Sequence, residues 1–227
     1  MEYSLHKTAL ADQGYTIIND FYTPSETQQI VQALHSASDE TENMQSDDLY
    51  AIRKLFRQIP GLKQPVFTLN LCNLVKQLFG TDYFLVKTIY LDKPALSNWV
   101  VAWHHNLFIS VKNKADIAGF GHWMVKRGQY NVPPPASVLQ SVYTVRIHLD
   151  HGTRDNGALD VSPGSHKQGI TRDIPAQNTV IAGGIMIMQP LLWHASHKST
   201  SGTGRRMLHL SSAISHYPSH WNGRKKK

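Results

Sequence analysis

From Tyr83 onward the chain is written in short β-type runs: "YFLVKTIYLD", "SVYTVRIHLD", "GALDVSP", "NTVIAG", "GIMIMQP" and "RRMLHLSSAI". Gly, Pro, Asn or Asp separates one run from the next, so no long helix fits there and the residues must pair as sheet. In "SVYTVRIHLD", Val142, Thr144, Arg146 and His148 fall on one face and Tyr143, Val145, Ile147 and Leu149 on the other. Such alternation makes one face dry and lets the other carry polar groups into a cavity.

The first forty residues read differently, as helix, strand and helix. "YTIIND" is a short β-branched run. In "TPSE", Thr23 caps, Pro24 takes the first helical position and Glu26 completes a capping box. Ile30, Val31 and Leu34 then form an apolar stripe at helical spacing. Residues 36–47, "SASDETENMQSD", read as an exposed loop, and "LNLCNLVKQLFG" as a buried helix closed by Gly80. Cys72, the one cysteine, lies in that helix and is expected in the core. Helices followed by many short strands predict a mainly β fold with some α. The expected form is a double-stranded β-helix, a cupin-like jelly roll, with an N-terminal helical layer. The Gly/Pro-rich stretch 112–140 is long for a structureless connection and is expected to serve as a lid.

At 227 residues the chain suits one domain, 1–227, ending in a basic tail at 223–227. No stretch approaches the roughly 18 apolar residues of a membrane span, and the N-terminus lacks a signal-peptide pattern, so a reducing cytoplasmic location is the default. The net charge of +7 points to anionic partners. Its basic residues are scattered rather than interleaved with aromatics, so a small anionic metabolite is expected in preference to nucleic acid.

Two segments carry chemistry. "VAWHHNLF" sets His104, His105 and Asn106 in an apolar run, and "LLWHASHKSTSGTGRR" holds His194 with Arg205 eleven residues later. Histidines ending two distant strands can meet across a jelly-roll mouth. Two imidazoles and one carboxylate on one face of an iron ion leave positions open for a chelating cosubstrate and dioxygen. An arginine on the next strand can grip a carboxylate with both prongs.

These segments, with "GFGHWMVKRGQ" and "DNGALDVSPGSHKQG", resemble the phytanoyl-CoA dioxygenase family of Fe(II)- and 2-oxoglutarate-dependent oxygenases over nearly the whole chain. The resemblance implies His104 and His194 as metal ligands, with Asn106 at the third position, where the family has an aspartate. It implies Arg205 as the clamp on the distal carboxylate of 2-oxoglutarate. Arg206 points the opposite way. His105, Trp123 and Lys87 or Thr88 are implied as further cosubstrate contacts. The implied activity is hydroxylation of an unactivated C–H bond of a small organic molecule. Fe(II), 2-oxoglutarate and dioxygen are consumed or held in that reaction, and 2-oxoglutarate is decarboxylated to succinate. Asn106 can offer an amide oxygen but no negative charge, so an inactive family member acting as a binding module is the alternative.

Most of the thirteen histidines need no such role. His6, His35, His197, His216 and His220 read as surface or core residues and His151 as cavity rim. Arg146 and His148 are divided between cavity and structural roles. Ser165 and His166 are expected to brace a turn, with a supporting role near the metal open to His166. Met186 and Met188 alternate with Ile185 and Ile187 as core packing, while Trp103 and Trp193 point away from the neighbouring histidines.

Overall fold

The computed structural model describes residues 3–36, 43–111, 113–126, 128–168 and 176–214. The basic tail, His216 and His220 lie outside them. Helix α1 (Tyr3–Gln13), strand β1 (Tyr15–Ile18) and helix α2 (Pro24–His35) open the chain, followed by β2 (Asn43–Ser46) and β3 (Leu49–Arg53). Short helical turns α3 (Leu55–Gln58) and α4 (Lys63–Val66) lead into α5 (Leu69–Phe79). Strands β4 (Tyr83–Lys93), β5 (Val101–His104), β6 (Ile109–Val111), β7 (Met124–Lys126) and β8 (Gln129–Val132) precede α6 (Ala136–Gln140). Then come β9 (Tyr143–His148), β10 (Leu159–Val161), α7 (Ser165–Gln168), β11 (Ala176–Gln177), β12 (Ile185–Met188), β13 (His194–Ser196) and β14 (Arg205–Ile214).

The strands form a jelly roll of two main antiparallel sheets. The larger has the order β1-β12-β9-β14-β4-β3-β2 and the smaller β11-β10-β13-β5. The outer face of the larger sheet carries Val145, Ile147, Ile185, Ile187, Leu208 and Leu210, and these pack with Ile30, Leu34, Leu62, Leu71 and Leu74 of the helical layer. The alternate residues turn inward, where Met186 and Met188 meet Leu159 and Val161 of the smaller sheet and Leu192 just before β13. One period-2 sequence thus builds two cores, one against helices and one between sheets. The α2 capping box forms as expected, with Thr23 Oγ1 accepting from Glu26 N and Glu26 Oε2 accepting from Thr23 N at 2.8 Å. Gly80 closes α5 at φ 89°, a conformation open to glycine.

Three expectations change. Residues 43–46 are not loop but the edge strand β2, paired with β3, and Ser46 Oγ accepts from Leu49 N across the turn. A polar edge strand gains its order from tertiary pairing and protects the sheet from further pairing. Cys72 is exposed rather than buried, because Leu71 and Leu74 define the inward stripe of α5 and its neighbour lies about 100° round the helix. The "NTVIAG" run makes only the isolated bridge Gly152↔Val180. There the Ile181 N–H donates to the Asn19 side chain and Gly183 turns the chain at φ 81°. Within 112–140, as its length suggested, there is regular structure: β7 and β8 join β6 in a third sheet of order β6-β8-β7, followed by α6.

Ile147 is fully buried at the centre of β9. Ile147→Ala is expected to cost about 3 kcal/mol through lost transfer energy and a cavity the sheet cannot close. A lowered denaturant midpoint with an unchanged slope is the measurement that checks it.

Candidate active site

Strand β13 pairs with β5 so that His194 stands directly opposite His104. The ring centroids are 4.2 Å apart. Asn106 joins them, its Nδ2 lying 3.4 Å from His194 Nε2. The segment is stitched in place by its backbone: Asn106 N donates to Pro190 O at 2.9 Å. Both imidazoles turn Nδ1 to the main chain, His104 to Ala102 O at 2.9 Å and His194 to Leu192 O at 2.6 Å. A carbonyl accepts only from a protonated nitrogen, so Nδ1 carries a hydrogen in each ring, and the Nε2 of His194 meets Asn106 Nδ2. Burial holds the His194 pKa at about 3, against the opposing effect of its bond to Leu192. It is therefore neutral at physiological pH, the state in which imidazole ligates a metal.

The "SPGSH" turn supports this pair from behind. Ser162 N donates to Trp193 O and Ser165 Oγ accepts from Trp193 N, both at 2.9 Å. The two backbone polar groups preceding His194 are thereby fixed. Trp103 and Trp193 stack on each other with centroids 6.2 Å apart. Alternation places them on the side of the strand pair away from the histidines, as expected.

The inner face of the larger sheet forms the opposite wall, and its register can be read in rows. Lys93 faces Arg205. Leu91 faces Met207, which faces His148. Ile89 faces His209, which faces Arg146 and then Met186. Lys87 faces Ser211, which faces Thr144 and then Met188. Thr144, Ser211 and His209 are linked by hydrogen bonds of 2.9 and 3.2 Å. These rows hold cations and imidazoles but no Asp or Glu. Arg205 donates through Nη2 to Gly157 O at 2.8 Å, while its buried Nε has no partner. Burial lowers its pKa to about 10. Arg146 is likewise buried with an unpartnered Nε, and burial followed by the charge of Arg205 brings it to about 9. Arg206 points outward and forms a two-pronged pair with Asp150, Nε–Oδ2 2.9 Å and Nη2–Oδ1 2.8 Å.

Other sequence-derived candidates are placed elsewhere. His105 turns to Trp193, at 4.6 Å between centroids, and its Nδ1 meets Leu191 O, so it lies on the tryptophan side of the ligand segment. Thr88 pairs with Leu210 on the outward face; Lys87 alone of the two faces inward. Trp123 packs with Tyr130 in the small core of the third sheet, away from the histidine pair. His166 reaches Ala11 O of α1 at 3.1 Å and braces the helical layer. His197 pairs with Asp160 at 2.7 Å on the exterior.

Three inward residues were not foreseen. Lys93 is 2% exposed, and its Nζ donates to His197 O beside Gly157 and lies 5.8 Å from the Trp99 ring centroid. Burial, then Arg205, lowers its pKa to about 8. Met207 and His209 follow Arg205 at intervals of two. Alternation from Arg205 within "RRMLHLSS" marks Met207 and His209, and extending that of "YFLVKTIYLD" by one residue marks Lys93.

A small, partly open pocket lies beside Asn106. Lys87, Thr144, His209 and Ser211 give it a polar end, and Phe108, Ile109 and Val142 an apolar one. Two imidazoles that turn Nδ1 to the main chain beside an amide suit a divalent metal ion. A buried cationic wall without an acid suits an anion chelated to that metal.

His148 and His209 have their pKa values pushed well below 6.5, first by burial and then by neighbouring cations. They stay neutral in the fold, whereas the unfolded chain takes up protons below about 6.5. Their contribution to stability is therefore complete above that pH and is lost as pH falls. Metal-free protein is expected to show a lower urea midpoint at pH 5.5 than at pH 7.5, with a smaller difference in His209→Gln.

The family model described as Phytanoyl-CoA dioxygenase (PhyH) matches residues 10–207. No curated protein sequence matches the chain. Among solved structures it is similar to SnoN, described as a non-heme alpha ketoglutarate dependent epimerase from nogalamycin biosynthesis, at 13% identity and TM-score 0.72. That match covers 93% of this chain and 82% of the other. AviO1 from Streptomyces viridochromogenes Tue57 matches at 15% identity and TM-score 0.68, covering 96% and 97%. EctD from S. alaskensis matches at 15% identity and TM-score 0.67, covering 93% and 76%. These likenesses fix the jelly-roll fold, and the family match extends from α1 to Met207, past both histidine segments. The chain belongs to the phytanoyl-CoA dioxygenase family of iron- and 2-oxoglutarate-dependent oxygenases.

Proposed function

We propose that this chain hydroxylates an unactivated C–H bond of a small organic molecule carrying an anionic group. The observation that carries the reading is the in-register His104–His194 pair, with both Nδ1 atoms committed to backbone carbonyls and Asn106 alongside. His104 and His194 hold Fe(II) through Nε2. Asn106 turns its amide oxygen toward the ion in place of the Nδ2 that now faces His194. Arg205 receives the distal carboxylate of 2-oxoglutarate through its unpartnered Nε, with Lys93 on its flank. When bound, iron and 2-oxoglutarate supply the oxidising power, using dioxygen and releasing succinate and carbon dioxide.

The chain's own residues bind and orient. The substrate occupies the cavity beside Asn106, its apolar body against Phe108, Ile109 and Val142 and its anionic group toward Lys87. Lys87 has no hydrogen bond or ion pair among the described residues, and burial, then Arg53 and Lys126, lowers its pKa. An unpaired, half-buried ammonium in a field of cations favours an anion. The stretch 112–140 closes over this cavity as a lid within one domain, since Ile109 belongs both to the cavity wall and to the third sheet.

A second reading, a binding module without turnover, is favoured by Asn106 itself, which removes the negative charge that holds and tunes Fe(II). Anaerobic titration with Fe(II) and 2-oxoglutarate distinguishes the two through the visible charge-transfer band of the chelate. The hydroxylase reading expects the band in the native chain. Its appearance only in Asn106→Asp establishes the binding module. Arg205→Ala is expected to weaken 2-oxoglutarate binding at least tenfold while Fe(II) binding is largely kept; equal loss of both would remove Arg205 from the clamp.

A further inference from the structure

Arg146 has no task in that reading, yet it is a buried cation of the inner wall, beside Arg205. Its Nη2 touches Met207 Sδ at 3.0 Å, and Arg205 Nη1 approaches the same sulfur at 3.8 Å. Two guanidiniums thus converge on one thioether with both Nε atoms unpartnered. Next to them both ring nitrogens of His148, opposite Met207, are buried without a partner. A guanidinium cannot shed its proton at physiological pH. An unpaired buried charge costs several kcal/mol, and thioether sulfur is a weak acceptor. Asp150 favours the charge of Arg205 from a distance but is hydrogen-bonded to Arg206, and Asp160 pairs with His197. The third metal position, where resemblance placed an acid, carries neutral Asn106.

We infer that Arg146 and Arg205 form a two-arginine clamp that binds a short dicarboxylate without metal, and that metal binding follows and depends on that anion. The inference rests on the Proposed function for the identity of the anion, and it reverses the dependence an acid at position 106 would impose. With an aspartate there, a dianion entering the metal-free site meets a negative charge, and the metal meets an attractive one. Here the metal-free site is purely cationic, so the dianion is attracted and a divalent metal is repelled until the anion arrives. Met207 holds the place between the guanidiniums. It is unbranched and can swing aside for a carboxylate, which accepts from both arginines at once. Coupling between the two ligands is reciprocal, so an anion that favours the metal is itself favoured by it.

Glutarate, a five-carbon dicarboxylate with no keto group, reads the clamp apart from chelation. Calorimetric titration of the full chain in chelator-treated buffer is expected to show glutarate binding. Saturating glutarate should raise the affinity for Mn(II), a redox-stable substitute for Fe(II), at least fivefold. Arg146→Met should weaken glutarate binding at least tenfold and strengthen Mn(II) binding in the absence of glutarate. It should melt no lower than the native chain, because it removes an unpaired buried charge; a purely structural Arg146 would melt lower and leave Mn(II) affinity unmoved. Arg146→Gln serves the same comparison if the Met variant does not fold. Glutarate binding that requires metal, or that is the same in the Arg146 variant, overturns the inference. Failure of the oxygenase reading shows itself separately, as the absence of the charge-transfer band even in Asn106→Asp, and leaves the metal-free glutarate result to stand or fall alone.

Discussion

The pairing of β13 with β5 is the constraint on which the site depends. It places His194 opposite His104, and a one-residue slip would turn one of the two rings to the opposite side. Several independent restraints hold that register. Pro190 O accepts from Asn106 N on one side, and the Ser162–Ser165 turn holds both polar groups of Trp193 on the other. Trp103 and Trp193 stack behind the pair, adding apolar burial to a strand contact only a few residues long. The specific "SPGSH" motif thus works through the backbone of the residue before the histidine, with no chemistry of its own.

The rest of the fold extends the same logic to the opposite wall. Strands β4, β9, β12 and β14 each present a dry face to the helices, so their other face must line the interior. Burial against helices is therefore what directs Arg146, His148, Arg205, Met207 and His209 inward together. Gly157 completes the arrangement at φ 73°: a Cβ there would collide with His197 O and Lys93 Nζ. The close approach that glycine permits brings a carbonyl to Arg205 and a lysine to its flank.

The periodicity of "SVYTVRIHLD" was enough to assign both faces of β9 before any coordinates, because a strand's period of 2 survives any tertiary arrangement. The helix caps and the two histidine segments were legible for the same reason, being local or carried by motif. What escaped depended on partners distant in sequence. β2 is polar and becomes a strand only through β3. His105 is adjacent to a ligand candidate yet is drawn to Leu191 O and Trp193. Thr88 and Lys87 are neighbours on opposite faces, and only the pairing with β14 says which is inward. Cys72 shows the converse error, since an apolar run in a helix reads as wholly buried unless its stripe is resolved to the residue.

Asn106 acquires its meaning from these inward cations. Considered alone, an amide in place of a carboxylate is simply a weaker ligand. Against a wall containing Arg146, Arg205, Lys93 and Lys87 with no facing acid, it also removes the one negative charge that would have offset them. A metal with charge +2, a dianion and Arg205 sum to a single positive charge, and Arg146 raises it further. In a low-dielectric interior such an excess is tolerated only if another anion joins. On the proposed reading, that anion is the substrate's own anionic group, drawn to the unpaired Lys87 in the pocket beside Asn106. The electrostatic imbalance that would weaken the metal site would then also favour an anionic substrate, so the ligand substitution and the proposed substrate preference would follow from one cause.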